Sequence, residues 1–573
     1  MLQTLTTPRG ETLSGTPWQV YPRPQMRRDS YINLNGEWDF AVSSGKPETF
    51  DMRITVPFCP ESRLSGIGRH FEEGAPLWYR RRFLLPEGFR RERVLLHIGA
   101  ADQIAEVFVN GQHLCRHEGG YASFCVDITE ALAEENELVI RCTDDLHDQA
   151  FPYGKQVTNR GGMLYTPVSG IWQTVWLESV PGTYIENLNI ENHGASVTIS
   201  TVPPLEGTVS VEPLGQFPLE NGQVTIAPEN PHFWCPDDPY LYRFTVETAQ
   251  DKVESYFAIR SLEIKKVGEY PRLCLNGKPY FFHGLLDQGY WPEGLLTAPA
   301  PESYADDILA MKRLGFNTLR KHIKVEPEEF YYQCDRLGMI VWQDMVNNGS
   351  YSYFRDTVLP TIGIQKRNDR RLHRDERSRN TFRQGAADAV NQLKNHPCIC
   401  YWTIFNEGWG QFDSDRVCGW FRTLDATRFI DTTSGWFRGK NTDVDSRHQY
   451  FGKLRLEGDG LRPLVLSEFG GKTWRVEGHI FNPDKTYGYG ACPTREALNE
   501  AVATLYRESI VPAVEKGLCA AIYTQVSDVE DEVNGLITYD RRVVKLDADT
   551  MLPISRALQD AMEKTVASFE KMG

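Results

Sequence analysis

The chain has 573 residues, 41% hydrophobic and 24% charged, with a net charge of −15. At about 150 residues per domain it is too long for one core and predicts about four domains, or three where one is a barrel. The acidic balance gives no support for a nucleic-acid or anionic-membrane partner, and no run approaches the roughly 18 apolar residues of a membrane span.

The first twenty residues, MLQTLTTPRGETLSGTPWQV, carry neither an apolar h-region nor a cationic n-region. This predicts a cytoplasmic protein with no signal peptide. The twelve cysteines are scattered without a C-x-x-C pair. Several, among them Cys125, Cys398, Cys400 and Cys519, fall in apolar runs and read as small buried hydrophobes.

From about residue 15 to 180 short alternating segments recur between turn residues. Examples are Ala105 to Gly111 and Ile171 to Leu177, where Ile171, Gln173, Val175 and Leu177 share one face. Asn35-Gly36 and Asn110-Gly111 are tight-turn signals. This pattern predicts a jelly-roll β-sandwich over 1–181. Some seven short strands with Pro- and Asn-rich joints over 182–266 predict an immunoglobulin-like β-sandwich.

From about residue 279 helical periods alternate with short apolar runs. Tyr304, Ile308, Met311 and Leu314 mark one helix, and Phe330, Tyr331 and Cys334 a second, between Pro327 and Gly338. Apolar strands are predicted at Phe316–Arg320, Met339–Trp342, Cys398–Phe405, Phe429–Ile430, Pro463–Leu466 and Cys519–Thr524. Residues 267–573 therefore read as a (β/α)8 TIM barrel, and the whole chain as multidomain β plus α/β. The basic run from Arg367 to Arg374, interleaved with acids, reads as a solvated surface.

All C-terminal strand ends of a parallel barrel face one way, so the polar residues closing the apolar runs collect into one site. They are His283, Arg320, His322, Asp344, Asn406, Glu407, His448, Glu468 and Gln525, with Trp436, Tyr450 and Trp474 close behind. Glu407 and Glu468 each close an apolar strand, WTIFNE and PLVLSE. Two glutamates on one barrel face fit glycoside hydrolysis, one carboxyl protonating the leaving oxygen and the other attacking the anomeric carbon. Arg320 is a candidate cation for the ionised partner. A metal site built from His283, His322, Asp344 and His448 is the competing reading, although no H-x-H or H-E-x-x-H spacing is present.

The chain also resembles glycoside hydrolase family 2, the retaining β-galactosidase, β-mannosidase and β-glucuronidase group. The motifs are Leu34-Asn-Gly-Glu-Trp38, Pro167-Val-Ser-Gly-Ile-Trp172, Asp238-Pro-Tyr-Leu-Tyr242, Cys334-Asp-Arg-Leu-Gly338, Asn406-Glu407 and Ser467-Glu-Phe-Gly470. The resemblance implies that Glu407 is the general acid/base, Glu468 the nucleophile, and Asn406 a ligand of the hydroxyl beside the anomeric carbon. It makes Arg320 a support of the nucleophile and Asp344, His448 and Trp436 walls of the sugar subsite, while His322, Tyr450, Trp474 and Gln525 are substrate-binding candidates by their place at or just after strand ends. It implies no cofactor or metal and a small carbohydrate substrate, and it leaves room for a homo-oligomer. Arg320-Lys-His322 departs from the family's Arg-x-x-His. Trp342-Gln-Asp-Met345 is closer to the β-mannosidase branch. Glu532-Val-Asn-Gly-Leu536 stands where a glucuronidase has Asn-x-Lys. A β-galactoside is expected first, then a β-mannoside or α-L-arabinofuranoside, with a catalytically silent carbohydrate-binding protein as the alternative from another class.

Overall fold

The computed structural model describes residues 1–365 and 368–570. Arg367, the first residue of the basic run noted above, lies outside them; Arg370, Arg371 and Arg374 are exposed.

The N-terminal sandwich pairs a four-stranded antiparallel sheet with a six-stranded one. Alternation drives it: Ile104–Val109 turns every second side chain inward, and Trp38, Phe40, Tyr79 and Val107 fill the space between the sheets. The stretch Ile171 to Leu177 behaves differently from a half-exposed strand, because Val175–Val180 is buried on both faces. Ile171, Val175 and Leu177 enter the sandwich core, while Trp172 packs with the barrel core. Cys125 corrects an expectation. It is exposed, because Val126 beside it takes the core face. Cys398, Cys400 and Cys519 are buried.

The second sandwich has sheets of three and four strands between Asn187 and Phe257, closed over Phe244, Val246 and Phe257. The next strand, Leu262–Val267, pairs with Tyr270–Leu275 rather than with that sandwich.

Eight strands form the barrel: β1 (Phe282–Asp287), β2 (Thr318–Lys321), β3 (Ile340–Asp344), β4 (Ile399–Asn406), β5 (Phe429–Ser434), β6 (Asp445–Gln449), β7 (Leu464–Phe469) and β8 (Leu518–Tyr523). They lie in the order β5-β4-β3-β2-β1-β8-β7-β6, and each paired neighbour is parallel. Strands β1 to β5, β7 and β8 are buried along their whole length, as their apolar runs require. Strand β6, Asp-Ser-Arg-His-Gln, has no such run. At the seam between β5 and β6, side chains stand in for a ladder: Ser446 Oγ lies 3.4 Å from Ser434 Oγ and accepts Gly435 N–H at 3.4 Å. A side chain at Gly435 would run into the His448 ring, 2.4 Å from an ideal Cβ.

The two sandwiches grip opposite ends of the barrel. Trp234, Tyr256 and Arg260 of the second reach its base near the start of β4. A small hairpin of the first, Lys155 to Tyr165, lies over its mouth and is tied there by Tyr165 Oη to Glu532 (2.5 Å) and Arg160 to Asp531 (2.8 Å).

Candidate active site

Arg320 organises the mouth. It is fully buried at the end of β2, and its fork touches four other strands, including β6, where Nη1 lies 3.3 Å from His448 Nε2. Nε donates to Asp344 Oδ1 (2.9 Å) on β3, Nη2 to Asn406 Oδ1 (2.9 Å) on β4, and Nη1 to Glu468 Oε1 (3.1 Å) and the Ser467 carbonyl (3.0 Å) on β7. A planar guanidinium with five donors is the side chain that can serve several acceptors at once. Arg320 takes the Asn406 oxygen, and the Asn406 NH2 makes no hydrogen bond among the described residues.

Glu468 is buried, which by itself would push its pKa up. The surrounding His448, His322, Arg320 and Lys155 overcome that and hold it at about 2. His322 has its own pKa lowered by burial, whereas the Arg320 guanidinium stays charged at neutral pH. His322 is anchored by Asp344 Oδ2 (2.7 Å) and stands 3.9 Å from Glu468 Oε1. Asp344 stays ionised against its burial through Arg320 and His322.

Glu407 follows β4 with a left-handed backbone, φ +51°, an uncommon conformation for a residue with a Cβ and one that recurs at functional positions. Its N–H is held by the Ser434 carbonyl (3.0 Å). Its Oε1 meets His448 Nδ1 at 2.7 Å and accepts from Tyr450 Oη at 3.2 Å. Tyr450 Oη also donates to Glu468 Oε2 (2.5 Å), so one hydroxyl bridges both carboxylates. One oxygen of Glu407, one oxygen of Glu468 and a His448 ring nitrogen lie within 4.8 Å of one another.

The structure thus brings together Arg320, His322, Asp344, Asn406, Glu407, His448, Tyr450 and Glu468. Trp436 stands beside them, its ring 6.3 Å from that of His448. Gln525 is buried past the end of β8 and bonds Gln288 and Asn534 (2.8 and 2.9 Å) rather than either carboxylate. Trp474 is half-buried against the barrel core and, among the described residues, makes no hydrogen bond to the two glutamates. His283 is not at this face. It is the second residue of β1, packed against Phe316 and Tyr506, with Nδ1 on the Gly315 carbonyl. The proposed four-residue metal set therefore does not assemble. Glu407, His448 and Glu468 could offer one ligand atom each, but Arg320 and Tyr450 already engage both oxygens of Glu468.

Residues outside any barrel strand complete the mouth. Tyr489 stacks on Tyr450 (4.3 Å, 19°). Tyr153 of the first sandwich accepts a bond from Trp409 Nε1 (3.0 Å), two residues beyond Glu407. Lys155 lies 5.9 Å over the Tyr165 ring. Loops and a second domain carry no strand-end signal, so these residues were not legible as site residues.

Comparison with known proteins agrees with this architecture. Residues 69–160 match the model described as glycosyl hydrolase 2 galactose-binding domain-like, 183–260 that of glycosyl hydrolases family 2, and 266–455 that of the family 2 TIM barrel domain. The chain is similar to a β-galactosidase of Thermoanaerobacter pseudethanolicus, 24% identical over 57% of this chain and 44% of the relative. A β-glucuronidase of Paenibacillus borealis is 25% identical over 72% of this chain and 73% of its own. The chain spans about half the length of several of the curated relatives it matches. A solved β-glucuronidase from an uncultured Clostridium sp. superposes with a TM-score of 0.71 at 19% identity, covering 95% of this chain and 100% of that one. With the two sandwiches and the barrel in this order, each matched by its own model along more than half the sequence, the chain belongs to glycoside hydrolase family 2.

Proposed function

We propose that the protein is a retaining exo-glycosidase acting on a small glycoside through a double displacement by Glu468 and Glu407. The observation that carries this reading is the closeness of the two carboxylates, whose nearest oxygens lie within 4.8 Å. Retaining enzymes hold their carboxyls about 5–5.5 Å apart, whereas inverting ones need about 6.5–9.5 Å to admit a water. Their environments also differ in the sense the reaction requires. Glu468, against Arg320, is an ionised nucleophile. Glu407, bonded to His448 and Tyr450 and with no Lys or Arg ion pair among the described residues, is the group suited to exchange a proton.

In the first step a Glu468 oxygen bonds to the anomeric carbon, the glycosidic C–O bond breaks, and Glu407 gives its proton to the departing oxygen. In the second, Glu407 takes a proton from water as that water displaces Glu468 and restores the carboxylate. Asn406, with its NH2 turned to the site, suits the sugar hydroxyl next to the reacting carbon.

For the sugar, a neutral β-galactoside is the first reading. Glu530, Asp531 and Glu532 lie buried at the mouth and Arg160 there is already paired with Asp531, so a uronate carboxylate meets oxygens and not a free guanidinium. The second reading, a uronide, is favoured by one observation besides the relatives' names. Lys155 acts electrostatically on Glu468 and Glu532 and has no ion pair among the described residues. A panel of nitrophenyl glycosides (β-galactoside, β-mannoside, β-glucuronide, β-glucoside and α-L-arabinofuranoside), with and without EDTA, decides between them. The expected result is EDTA-insensitive turnover of the β-galactoside. Turnover of the glucuronide alone overturns the neutral-sugar reading, and silence on all five favours a binding protein.

A further inference from the structure

A cleft of about 650 Å3 opens at the seam between β5 and β6. Its inner wall contains Trp436, His448 and Tyr450, and the last two bond Glu407 directly. His448 is nearer to Glu407 (2.7 Å) than to Glu468 (3.8 Å), which sets the cleft beside the acid/base, the side by which a leaving group departs. Its outer wall is apolar and solvent-facing: Ile362 is 68% and Phe451 65% exposed. Large side chains that exposed, turned to one concave surface, mark a place where an apolar ligand is covered. Phe451 continues an aromatic row through Tyr489 (5.6 Å) to Tyr450.

The charge of the cleft is opposite to that of the molecule. Arg447, Lys453 and Arg455 line it and no carboxylate does among the described residues, in a chain whose net charge is −15. Arg447 is held by Asp445 (2.8 Å). Lys453 is exposed and has no ion pair among the described residues.

We infer that this cleft is the leaving-group subsite and that it takes a flat aromatic aglycone carrying a carboxylate. The ring lies against Trp436, Ile362 and Phe451, and the carboxylate meets Lys453 and Arg455. This rests on the glycosidase reading and narrows it from oligosaccharides to aryl glycosides.

The test uses two aryl glycosides of the sugar that the panel identifies, matched in leaving-group acidity, one with a ring carboxylate and one without. The carboxylated substrate is expected to show a kcat/KM about fivefold higher, carried by KM, as befits one or two partly exposed ion pairs. The preference is expected to vanish in Lys453→Gln/Arg455→Gln and to shrink at about 1 M salt. Phe451→Ala is expected to raise KM for both aryl substrates relative to the methyl glycoside. Equal kcat/KM for the two aryl substrates, unchanged by the double substitution, overturns the inference while leaving the glycosidase reading intact. Failure to turn over any glycoside sinks both.

Discussion

The two ends of β4 make an instructive pair. At its start, where the second sandwich docks, Asp335 is saturated. Oδ2 meets His396 (2.7 Å) and Tyr256 Oη (2.8 Å), Oδ1 accepts the Cys398 N–H (2.8 Å), and both Asp335 and His396 side chains are wholly buried. At its far end Glu407 is also bonded to a histidine and a tyrosine. Yet its side chain is 15% exposed, and its Oε2 has no partner among the described residues. Both carboxylates meet a histidine and a tyrosine. The difference is an oxygen left open to a cavity, and that oxygen is what a reaction can use. A buried ionic cluster alone identifies a joint, whereas one with a spare acceptor identifies a site.

Breaking each end should therefore give different losses. Glu468→Gly at the mouth is expected to lower kcat by on the order of 10⁴-fold or more, the scale of removing a nucleophile. The melting temperature should fall, but by less than at the base because Arg320 keeps Asp344 and Asn406, and azide should restore part of the turnover by entering the vacated space. Full activity in that variant, measured with the preferred nitrophenyl glycoside, would contradict its assignment. Asp335→Ala at the base should do the reverse. Leaving His396 and the Cys398 N–H unpaired is expected to cost roughly 3–5 kcal/mol of stability by thermal or urea unfolding. The folded fraction should keep its pH profile.

How much of this was legible depended on whether a residue belonged to a barrel strand with an apolar run. The barrel, the Glu407 and Glu468 positions and the hub Arg320 follow from such runs, and the two sandwiches from alternation between turn residues. His283 shows the limit of that rule. It sits in a strand, but at the end remote from the mouth, because a one-letter string does not say where in a strand a polar residue falls. Strand β6 is polar throughout and gave no signal of its own. Lys155, Tyr153 and Tyr489 reach the mouth from a different domain and from a loop, which only tertiary structure places together.

The bridging hydroxyl sharpens the comparison at smaller scale. Tyr450→Phe removes a donor shared by both carboxylates without opening a cavity, and a lost preorganised donor is worth about 10²-fold in kcat. A loss carried entirely by KM would instead make Tyr450 a wall of the subsite.

The electrostatics of Glu468 supply a pH test of lesser amplitude. Glu468 is held at about 2, below an unfolded glutamate near ~4.3. It therefore contributes stability above the unfolded value, and that contribution is lost as pH falls through the folded one. In the native enzyme its titration lies outside the working range, so the acidic limb of kcat/KM belongs to another group. Replacing Arg320 by Met removes one of the groups that offset burial, leaving His448, His322 and Lys155 to oppose it. The Glu468 pKa should then rise by about 1–3 units, and the acidic limb of kcat/KM should move up with it. An acidic limb unmoved by the change would mean that the histidines and Lys155, not Arg320, hold the carboxylate ionised.

The smallest expected effect concerns the grip of the first sandwich on the mouth. Tyr153→Phe removes the acceptor of Trp409 Nε1 and the donor to the Gly349 carbonyl (2.7 Å), at a net worth of about 1 kcal/mol per bond. Both bonds lie in the wall beside Glu407, not on the reacting groups. The expected outcome is a rise in KM of a few-fold with kcat nearly constant, checked on the preferred glycoside. A large fall in kcat would mean that this wall positions Glu407 itself. The first sandwich would then belong with the catalytic end of β4, as a working part of the site and not merely its rim.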